Sequence, residues 1–273
     1  MSEHKTIKNV AEPGTRRSLA RDFRSLSLLP GQVVMVHSSL SVLGWINGGP
    51  VTIIQALMDV LTAEGTLIMP AHSGEYSDPA FWNSPPVPQQ WHEMVRQTMP
   101  LFDPRRTPTR GIGRVPELFR TWPDVLRSDH PQMSFSAWGK HARFVTEGHE
   151  LAFGLGETSP LARVYDLDGH VLMLGAGYDS CTSLHLAEYR APNPPLTTSG
   201  APWMENGKRI WKTFPEVDFQ DQLFPDIGQA LERENDVTIA KVAAATCRLM
   251  SQRKLVDFGV TWIDAHRQSA TAD

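Results

Sequence analysis

The chain of 273 residues has few cysteines, no long apolar run and no cluster of positive charge. Its two cysteines, Cys181 and Cys247, lie far apart in the sequence, which argues against a disulfide scaffold and fits a reducing compartment. No apolar run reaches membrane-spanning length, and the N-terminal residues lack an apolar signal core. We therefore expect a cytoplasmic protein with no membrane partner.

The charge balance is mildly acidic. With 26 Lys and Arg against 30 Asp and Glu the net charge is −4, and no basic run or RNA-binding aromatic motif accompanies it. Nucleic acid is therefore not an expected partner, whereas an acidic surface attracts a polycationic small molecule. A hydrophobic content of 41% over this length is enough for one large α/β domain with a substantial core.

Three common kinds of catalytic motif are also absent. No H-x-x-x-H or C-x-x-C spacing is present, so we expect no metal site. The chain has no G-x-S-x-G nucleophile elbow of a serine hydrolase and no Gly-Lys-Ser/Thr end of a phosphate-binding P-loop. The chemistry therefore has to come from another set of residues.

The first organised unit is a βαβ pattern. Apolar residues predict a strand at 33–36, a helix at 50–61 and a second strand at 66–69. A right-handed crossover makes the two strands parallel, so ligand groups are expected just beyond their carboxyl ends. These positions are 37–39 and 70–72.

No internal repeat or domain linker is evident, so one domain is the simplest organisation. We expect a flexible N-terminus at 1–14, a single domain at 15–265 and a polar tail at 266–273. The segment 73–116 is rich in proline and too long for a simple connector, which indicates a wall or lid of a site. Other predicted elements are a helix at 15–28, a helix at 115–120, an extended piece at 134–137, a loop at 192–202 and a hairpin turning at Asn206-Gly207.

The most informative segment is 168–188. It predicts a turn, a buried strand at 170–174, a loop containing Gly175 and Gly177, and a helix. On that helix His185 and Glu188 are three residues apart and share a face, so the carboxylate can orient an imidazole base. The alternative is a helix pair that only stabilises a solvent-facing surface.

Further candidates are individually less specific. The segment 37–40 precedes glycines and a helix, and 109–114 supplies two arginines, so either segment can approach phosphate. Asp179 and Thr182 precede the helix of His185, where helix caps are also common. Glu216 and Asp218 point the same way if their segment is extended, although a solvated acidic loop is the simpler interpretation.

Several motifs in order along the chain resemble one family. They are His37-Ser-Ser-Leu, Gly65-Thr-Leu-Ile-Met-Pro, the His130–Gly139 segment, Ser159-Pro-Leu-Ala-Arg-Val-Tyr, Leu167-Asp-Gly-x-Val-Leu-Met-Leu-Gly and Thr182-Ser-Leu-His-Leu-Ala-Glu188. From about residue 18 to 263 the chain resembles the aminoglycoside 3-N-acetyltransferases, which differ in fold from the GNAT acetyltransferases. The resemblance implies an α/β acetyltransferase domain at 15–265, with a central mixed sheet flanked by helices and long proline-rich insertions.

The same resemblance implies an activity and a set of site residues. Acetyl-CoA would be the co-substrate, and a cationic aminoglycoside would receive the acetyl group on its 3-amino nitrogen, which gives antibiotic resistance. The implied catalytic residues are His185 as general base, Glu188 and Thr182. The implied acetyl-CoA site contains His37, Ser38, Ser39, Leu40, Arg114, His130, Ser134 and Phe135. The implied drug-binding carboxylates are Asp179, Glu216, Asp218 and Glu157.

Direct transfer within a ternary complex is the expected mechanism, because neither cysteine has an evident base partner for a covalent route. Two alternatives remain at this point. The chain can acetylate a different amine, or it can be a non-catalytic relative that only binds ligands. A homodimer is compatible with the sequence.

Overall fold

The computed structural model describes residue 7, residues 10–234 and residues 236–270. The predicted βαβ unit is confirmed, with its two strands parallel. A short helix precedes it, and its N-cap Thr15 accepts a hydrogen bond from the Ser18 amide at 3.1 Å. The elements are α1 (Arg16–Ser25), β1 (Val33–Ser38), α2 (Gly49–Leu61) and β2 (Thr66–Pro70).

The proline-rich segment after β2 folds into short 3₁₀ turns and one two-turn helix rather than a structureless loop. Proline fixes its own φ angle and lacks an N–H group, so such a segment favours turns over long regular elements. The elements in this segment and in the chain that follows it are α3 (His92–Thr98), α4 (Arg114–Phe119), β3 (Leu126–Arg127), β4 (Phe135–Gly139), α5 (Ala142–Thr146) and α6 (Pro160–Asp166).

The last third of the chain carries the hairpin and the second half of the sheet. The predicted turn is confirmed, since Asn206 and Gly207 both have positive φ angles between paired strands. The prediction of a loop at 192–202 is wrong, because the residues from Leu196 onward form a ten-residue strand that pairs with the second arm of the hairpin. The elements are β5 (His170–Leu174), α7 (His185–Arg190), β6 (Leu196–Glu205), β7 (Lys208–Val217), α8 (Phe224–Arg233), β8 (Val237–Val242), β9 (Ala245–Ser251) and α9 (Gln252–Ala270).

The two expected ends of the chain are only partly described. Residues 266–270 continue α9 rather than forming a tail, and 271–273 lie outside the described residues. At the other end, the amide of Gly14 donates to the Trp45 carbonyl at 2.9 Å, and the rest of the expected flexible segment lies largely outside the described residues. No helix in the described part of the chain is long and apolar enough to cross a bilayer.

The predicted single α/β domain with a central mixed sheet is confirmed. The seven strands lie in the order β3-β4-β2-β1-β5-β9-β8, and the hairpin β6-β7 forms a separate two-stranded sheet. The pairs β1-β2 and β1-β5 are parallel, and every other pair in the large sheet is antiparallel. Buried apolar side chains cover both faces of the sheet, which is the burial expected for parallel strands packed between helices.

One buried arginine ties the proline-rich segment to the end of β2. The Arg127 guanidinium donates to the carbonyls of Ala71 at 2.6 Å and Thr107 at 2.5 Å, and to the hydroxyls of Ser73 and Ser134 at 2.9 and 3.0 Å. Its planar fork suits several carbonyls at once, and it lies over the Phe102 ring at 4.9 Å. Burial lowers the pKa of Arg127 to about 10, so the side chain stays charged at neutral pH.

Two buried imidazoles, those of His130 and His149, lie near Ser128, the residue that follows this arginine. The rings of His130 and His149 are 4.7 Å apart, and each makes hydrogen bonds inside the protein. Burial lowers the pKa of His149 to about 4 and that of His130 well below its usual value. Both side chains are therefore neutral in the folded protein near neutral pH.

We predict that these imidazoles make the fold acid-sensitive. In the unfolded chain His149 becomes protonated below about pH 6.5, whereas in the folded chain its pKa is about 4. Between these two pH values the unfolded chain therefore binds more protons than the folded chain. The free energy of unfolding should fall as pH falls through that window, by up to about 1.4 kcal/mol per pH unit for each such group. Urea unfolding at pH 7.5, 6 and 5 measures the free energy of unfolding as a function of pH. In His149→Gln the slope of this curve should correspond to about one fewer proton taken up on unfolding. An unchanged slope in the variant contradicts the assignment.

Candidate active site

Three strand ends and the start of one helix meet at one edge of the sheet. The register pairs Ser38 of β1 with Leu174 of β5, so these two strands end together. Gly175 then turns the chain with a φ angle of +70°, and a Cβ there would lie 2.6 Å from a methyl carbon of Val42. Two 3₁₀ turns follow, and α7 begins at His185. This path delivers His185 to the edge.

The predicted pairing of His185 with Glu188 is present. Nδ1 of His185 lies 2.6 Å from Oε2 of Glu188, and the Glu188 side chain is 2% exposed. The other oxygen of Glu188 accepts a hydrogen bond from the backbone amide of Gln220 at 2.5 Å. Because a carboxylate accepts at Nδ1, that nitrogen carries the proton and Nε2 is the basic nitrogen.

Aromatic rings fix the orientation of the imidazole. The centroid of the Phe219 ring is 4.3 Å from that of His185, and the Phe224 ring is 4.9 Å away on another side. The His185 side chain keeps 14% of its surface exposed, so a substrate can reach it. Packing on two sides with one accessible edge is the arrangement that holds a reactive side chain in a single rotamer.

Two further imidazoles lie within electrostatic range of His185. Burial, followed by the charge of His185, lowers the pKa of both His37 and His72 to about 3. Both rings are therefore neutral at neutral pH. Among the side chains that the structure describes, no three His, Cys, Asp or Glu groups assemble into a metal-ligand set.

A cleft of about 640 Å³ opens along this edge. Its walls are formed by the end of β1 and the turn after it, by 111–116, and by residues of the segment between β5 and α7. The segment 111–116 belongs to the proline-rich insertion, which therefore forms a wall of the site as predicted. His37 connects the cleft to the dyad, because it lines the cleft and senses the charge of His185.

Seven of the fifteen predicted site residues line this cleft, and eight, including His185 and Glu188, do not. Those that line it are His37, Ser38, Ser39, Leu40, Arg114, Asp179 and Thr182. His130, Ser134 and Phe135 lie in the interior instead. His130 accepts hydrogen bonds from the amides of Gln132 and Met133, Ser134 donates to the Ala71 carbonyl, and Phe135 is a core residue of β4.

The four predicted drug-binding carboxylates have different surroundings. Asp179 and Asp218 are exposed. Glu157 pairs with Arg190 at 2.7 Å. Glu216 is 3% exposed, and both of its oxygens already accept hydrogen bonds. The acidic surface that the sequence predicted is therefore smaller than the number of carboxylates suggests.

Three contributors to the site had no usable signal in the sequence. Phe219 and Phe224 are ordinary apolar residues, and their contact with His185 depends on the path of the chain after β7. Gln220 contributes a backbone amide, which every residue but proline has. Only the fold brings these groups to a segment 30 residues earlier in the sequence.

Comparison with known proteins identifies relatives of this chain. The family model for aminoglycoside 3-N-acetyltransferase matches residues 35–264. The chain is 48% identical to the aminoglycoside N(3')-acetyltransferase-like protein YokD of Bacillus subtilis, over 94% of this chain and 95% of that protein. It is 35% identical to aminoglycoside N(3)-acetyltransferase VIII of Streptomyces fradiae, with 99% of each chain covered.

Solved structures agree as well. The crystal structure of YokD from Bacillus subtilis superposes with a TM-score of 0.95 at 47% identity, covering 97% of this chain and 98% of that one. A binary complex of AAC-IIIb with CoASH superposes with a TM-score of 0.83 at 34% identity, covering 93% and 98% of the two chains. The match to the family model and the similarity to these relatives lead to one assignment. The chain belongs to the aminoglycoside 3-N-acetyltransferase family of acyltransferases.

Proposed function

We propose that this protein transfers the acetyl group of acetyl-CoA to the 3-amino group of the 2-deoxystreptamine ring of aminoglycosides, and so confers resistance to them. The observation that carries the proposal is the 2.6 Å hydrogen bond between His185 and the buried carboxylate of Glu188, at the start of the helix that follows the cleft residue Thr182. Such a pair supplies a general base beside space for a second substrate.

The group that attacks the thioester is the neutral amine, and its nitrogen has to lose a proton as the amide bond forms. Nε2 of His185 takes that proton as the nitrogen bonds to the acetyl carbon, and Glu188 stabilises the imidazolium that forms. A positioned imidazole contributes about 10²–10⁴-fold to the rate of such a step. The thiolate of CoA leaves and takes that proton back from the imidazolium of His185, so the products are the N-acetylated amine and CoASH, and the imidazole is neutral again.

The cleft supplies what acetyl-CoA requires. Arg114 places a cation on one wall for a phosphate group, and Ser38 and Ser39 add hydroxyl groups on another. The hydroxyl of Thr182 in the cleft lining can donate to the thioester oxygen as it gains charge. The CoASH complex of AAC-IIIb, which has the same fold, supports the use of this co-substrate.

Direct transfer is favoured over an acetyl-cysteine intermediate. Cys181 is the cysteine nearest to His185 in the sequence, and its side chain is fully buried. Burial raises the pKa of its thiol to about 12, so almost no thiolate is present at neutral pH. Since the thiolate is the nucleophile in such a route, Cys181 is unsuited to it.

A second acceptor class, an amine with few positive charges, is favoured by one observation. Of the four carboxylates predicted to bind the drug, Glu157 and Glu216 are already engaged within the protein. Exposed ion pairs contribute only about 0–1 kcal/mol each, so Asp179 and Asp218 alone provide modest attraction for a polycation. Comparing kcat/KM for several aminoglycosides and a monoamine distinguishes the two classes.

We predict that His185→Ala lowers kcat by at least about 100-fold, because it removes the general base, and that it leaves the affinity for acetyl-CoA nearly unchanged. Glu188→Gln should lower kcat as well, because a neutral amide stabilises the imidazolium less. CoA thiol release, measured with and without gentamicin, reports turnover, and calorimetry with acetyl-CoA reports binding. Near-normal turnover by the His185 variant would remove it from the role of base.

Arg114→Ala should raise the KM for acetyl-CoA by about 10-fold and change kcat little, since a charge-assisted hydrogen bond is worth about 1.5–3 kcal/mol at most. Arg110→Ala is the matched control, because Arg110 belongs to the same loop but not to the cleft lining. Equal effects of the two variants would mean that general charge, and not a contact in the cleft, attracts the co-substrate.

Cys181→Ala should keep most of the wild-type turnover, because the thiol takes no part in direct transfer. Mass spectrometry of the wild-type protein after incubation with acetyl-CoA alone should show no acetyl adduct. An adduct on Cys181 that disappears when the amine is added would establish the covalent route instead.

A further inference from the structure

We propose that Glu216 is a positioning residue that holds the His185–Glu188 pair in its reactive geometry, and not a carboxylate that binds the substrate. The inference concerns the same site and rests on the proposed acetyl transfer for its kinetic consequences. Its structural basis is independent of the substrate, because it consists of hydrogen bonds within the protein. Glu216 lies at the end of β7 and senses the charge of His185.

Three donors converge on the buried carboxylate of Glu216. The amide of Gly154 donates to Oε2 at 3.0 Å, and the amide of Val217 donates to Oε1 at 2.9 Å. The hydroxyl of Tyr189 also donates to Oε1. Burial raises the pKa of the Tyr189 hydroxyl, so this group remains a donor. With its acceptors occupied and 3% of its surface exposed, Glu216 has little capacity left for an ammonium group.

The position of Glu216 in the chain explains how it acts on the pair. Three residues after it, the ring of Phe219 packs on His185, and four residues after it, the amide of Gln220 donates to Glu188. Between them, the Asp218 amide donates to the Pro195 carbonyl at 2.8 Å, which extends the hairpin pairing by one bond. Fixing Glu216 therefore fixes the direction in which the chain leaves β7 toward the pair.

Hydrogen bonds run in both directions between α7 and the end of β7 with the chain that follows it. On α7, Glu188 and Tyr189 are consecutive residues. Glu188 accepts a hydrogen bond from the chain after β7, and Tyr189 donates one to Glu216 at the end of β7. Each element thus supplies one acceptor and one donor to the other. Two such bonds at adjacent positions resist rotation of α7, which a single bond does not.

The same carboxylate also holds a neighbouring loop. Phe153 has a φ angle of +55°, which is rare for a bulky side chain, and its amide donates to the Pro215 carbonyl at 3.2 Å. Gly154 comes next, and a Cβ there would lie 2.5 Å from Nε2 of His130. The bond from the Gly154 amide to Glu216 keeps this left-handed turn against Tyr189, whose ring is 6.2 Å from that of Phe153.

This arrangement requires a carboxylate and not merely a polar side chain. With glutamine at position 216, one of the two oxygens becomes an NH₂ group, which donates and does not accept. It would face the N–H of either Gly154 or Val217, and one buried amide would lose its partner. A buried donor left without an acceptor is destabilising, so Glu216→Gln should disturb the site although it conserves shape.

The test compares Glu216→Gln and Tyr189→Phe with Tyr165→Phe. The control removes a tyrosine hydroxyl that donates to the exposed Asp257 at 2.8 Å and that has no contact with the pair. Both site variants should lower kcat by roughly 10- to 100-fold, the loss that a small misplacement of a catalytic group produces. The KM for acetyl-CoA should stay within about twofold, and the control should retain wild-type kcat.

A second readout does not depend on turnover. The proton on Nδ1 of His185, shared with Glu188 at 2.6 Å, should give a downfield NMR resonance, which His185→Ala identifies by its loss. In both site variants this resonance should shift or broaden, and in Tyr165→Phe it should not. The melting temperature of each variant reports how far the fold itself is affected.

The outcomes separate the alternatives. If Glu216→Gln raises the KM for the amine and leaves kcat and the resonance unchanged, Glu216 binds substrate and the positioning role is refuted. A lower melting temperature with normal kcat and resonance refutes it too, because the role is then only structural. If no amine is acetylated by the wild type, the proposed function fails, whereas the resonance still decides whether Glu216 positions the pair.

Discussion

The parallel pairing of β1 with β2 and β5 is the constraint on which the site depends. Parallel strands place their carboxyl ends at one edge, so His37, His72 and the loop leading to His185 come together there without any direct bond among them. Strands buried on both faces need continuous apolar sequence, which leaves the functional side chains to the first residues after each strand. His37 lies next to the last residue of β1, and His72 follows the end of β2 by two residues.

The sequence was sufficient for the βαβ unit, the mixed sheet and the pairing of His185 with Glu188, because each rests on local patterns. A spacing of three residues on a helix is readable directly, whereas the role of Glu216 is not. Its surroundings come from Tyr189, Gly154 and the hairpin, which are distant in sequence. For the same reason His130 and Phe135, which lie in a family motif, belong to the core in this structure. A motif identifies residues that a fold needs without stating which of them touch a ligand.

Burial divides the ionisable groups of the site into two sets. His37 and His72 are neutral because solvent is excluded from them, and Glu216 is held by three donors. In the proposed reaction, the charge that changes is thereby confined to His185 and Glu188. A site built this way does not need many charged groups in contact with the substrate, since the surrounding neutral dipoles keep the proton transfer local.

The hydrogen bonds of Arg127 have a consequence for how ligands enter. Its guanidinium joins the end of β2 to the segment that leads into the cleft wall, through carbonyls at both sides. Opening that wall as a hinged flap would break several charge-assisted bonds at once and leave a buried cation without partners. The wall is therefore a fixed part of the scaffold. For the proposed co-substrate, we therefore expect a preformed binding cleft and a rate of association set by diffusion and orientation, not by an opening step of the protein.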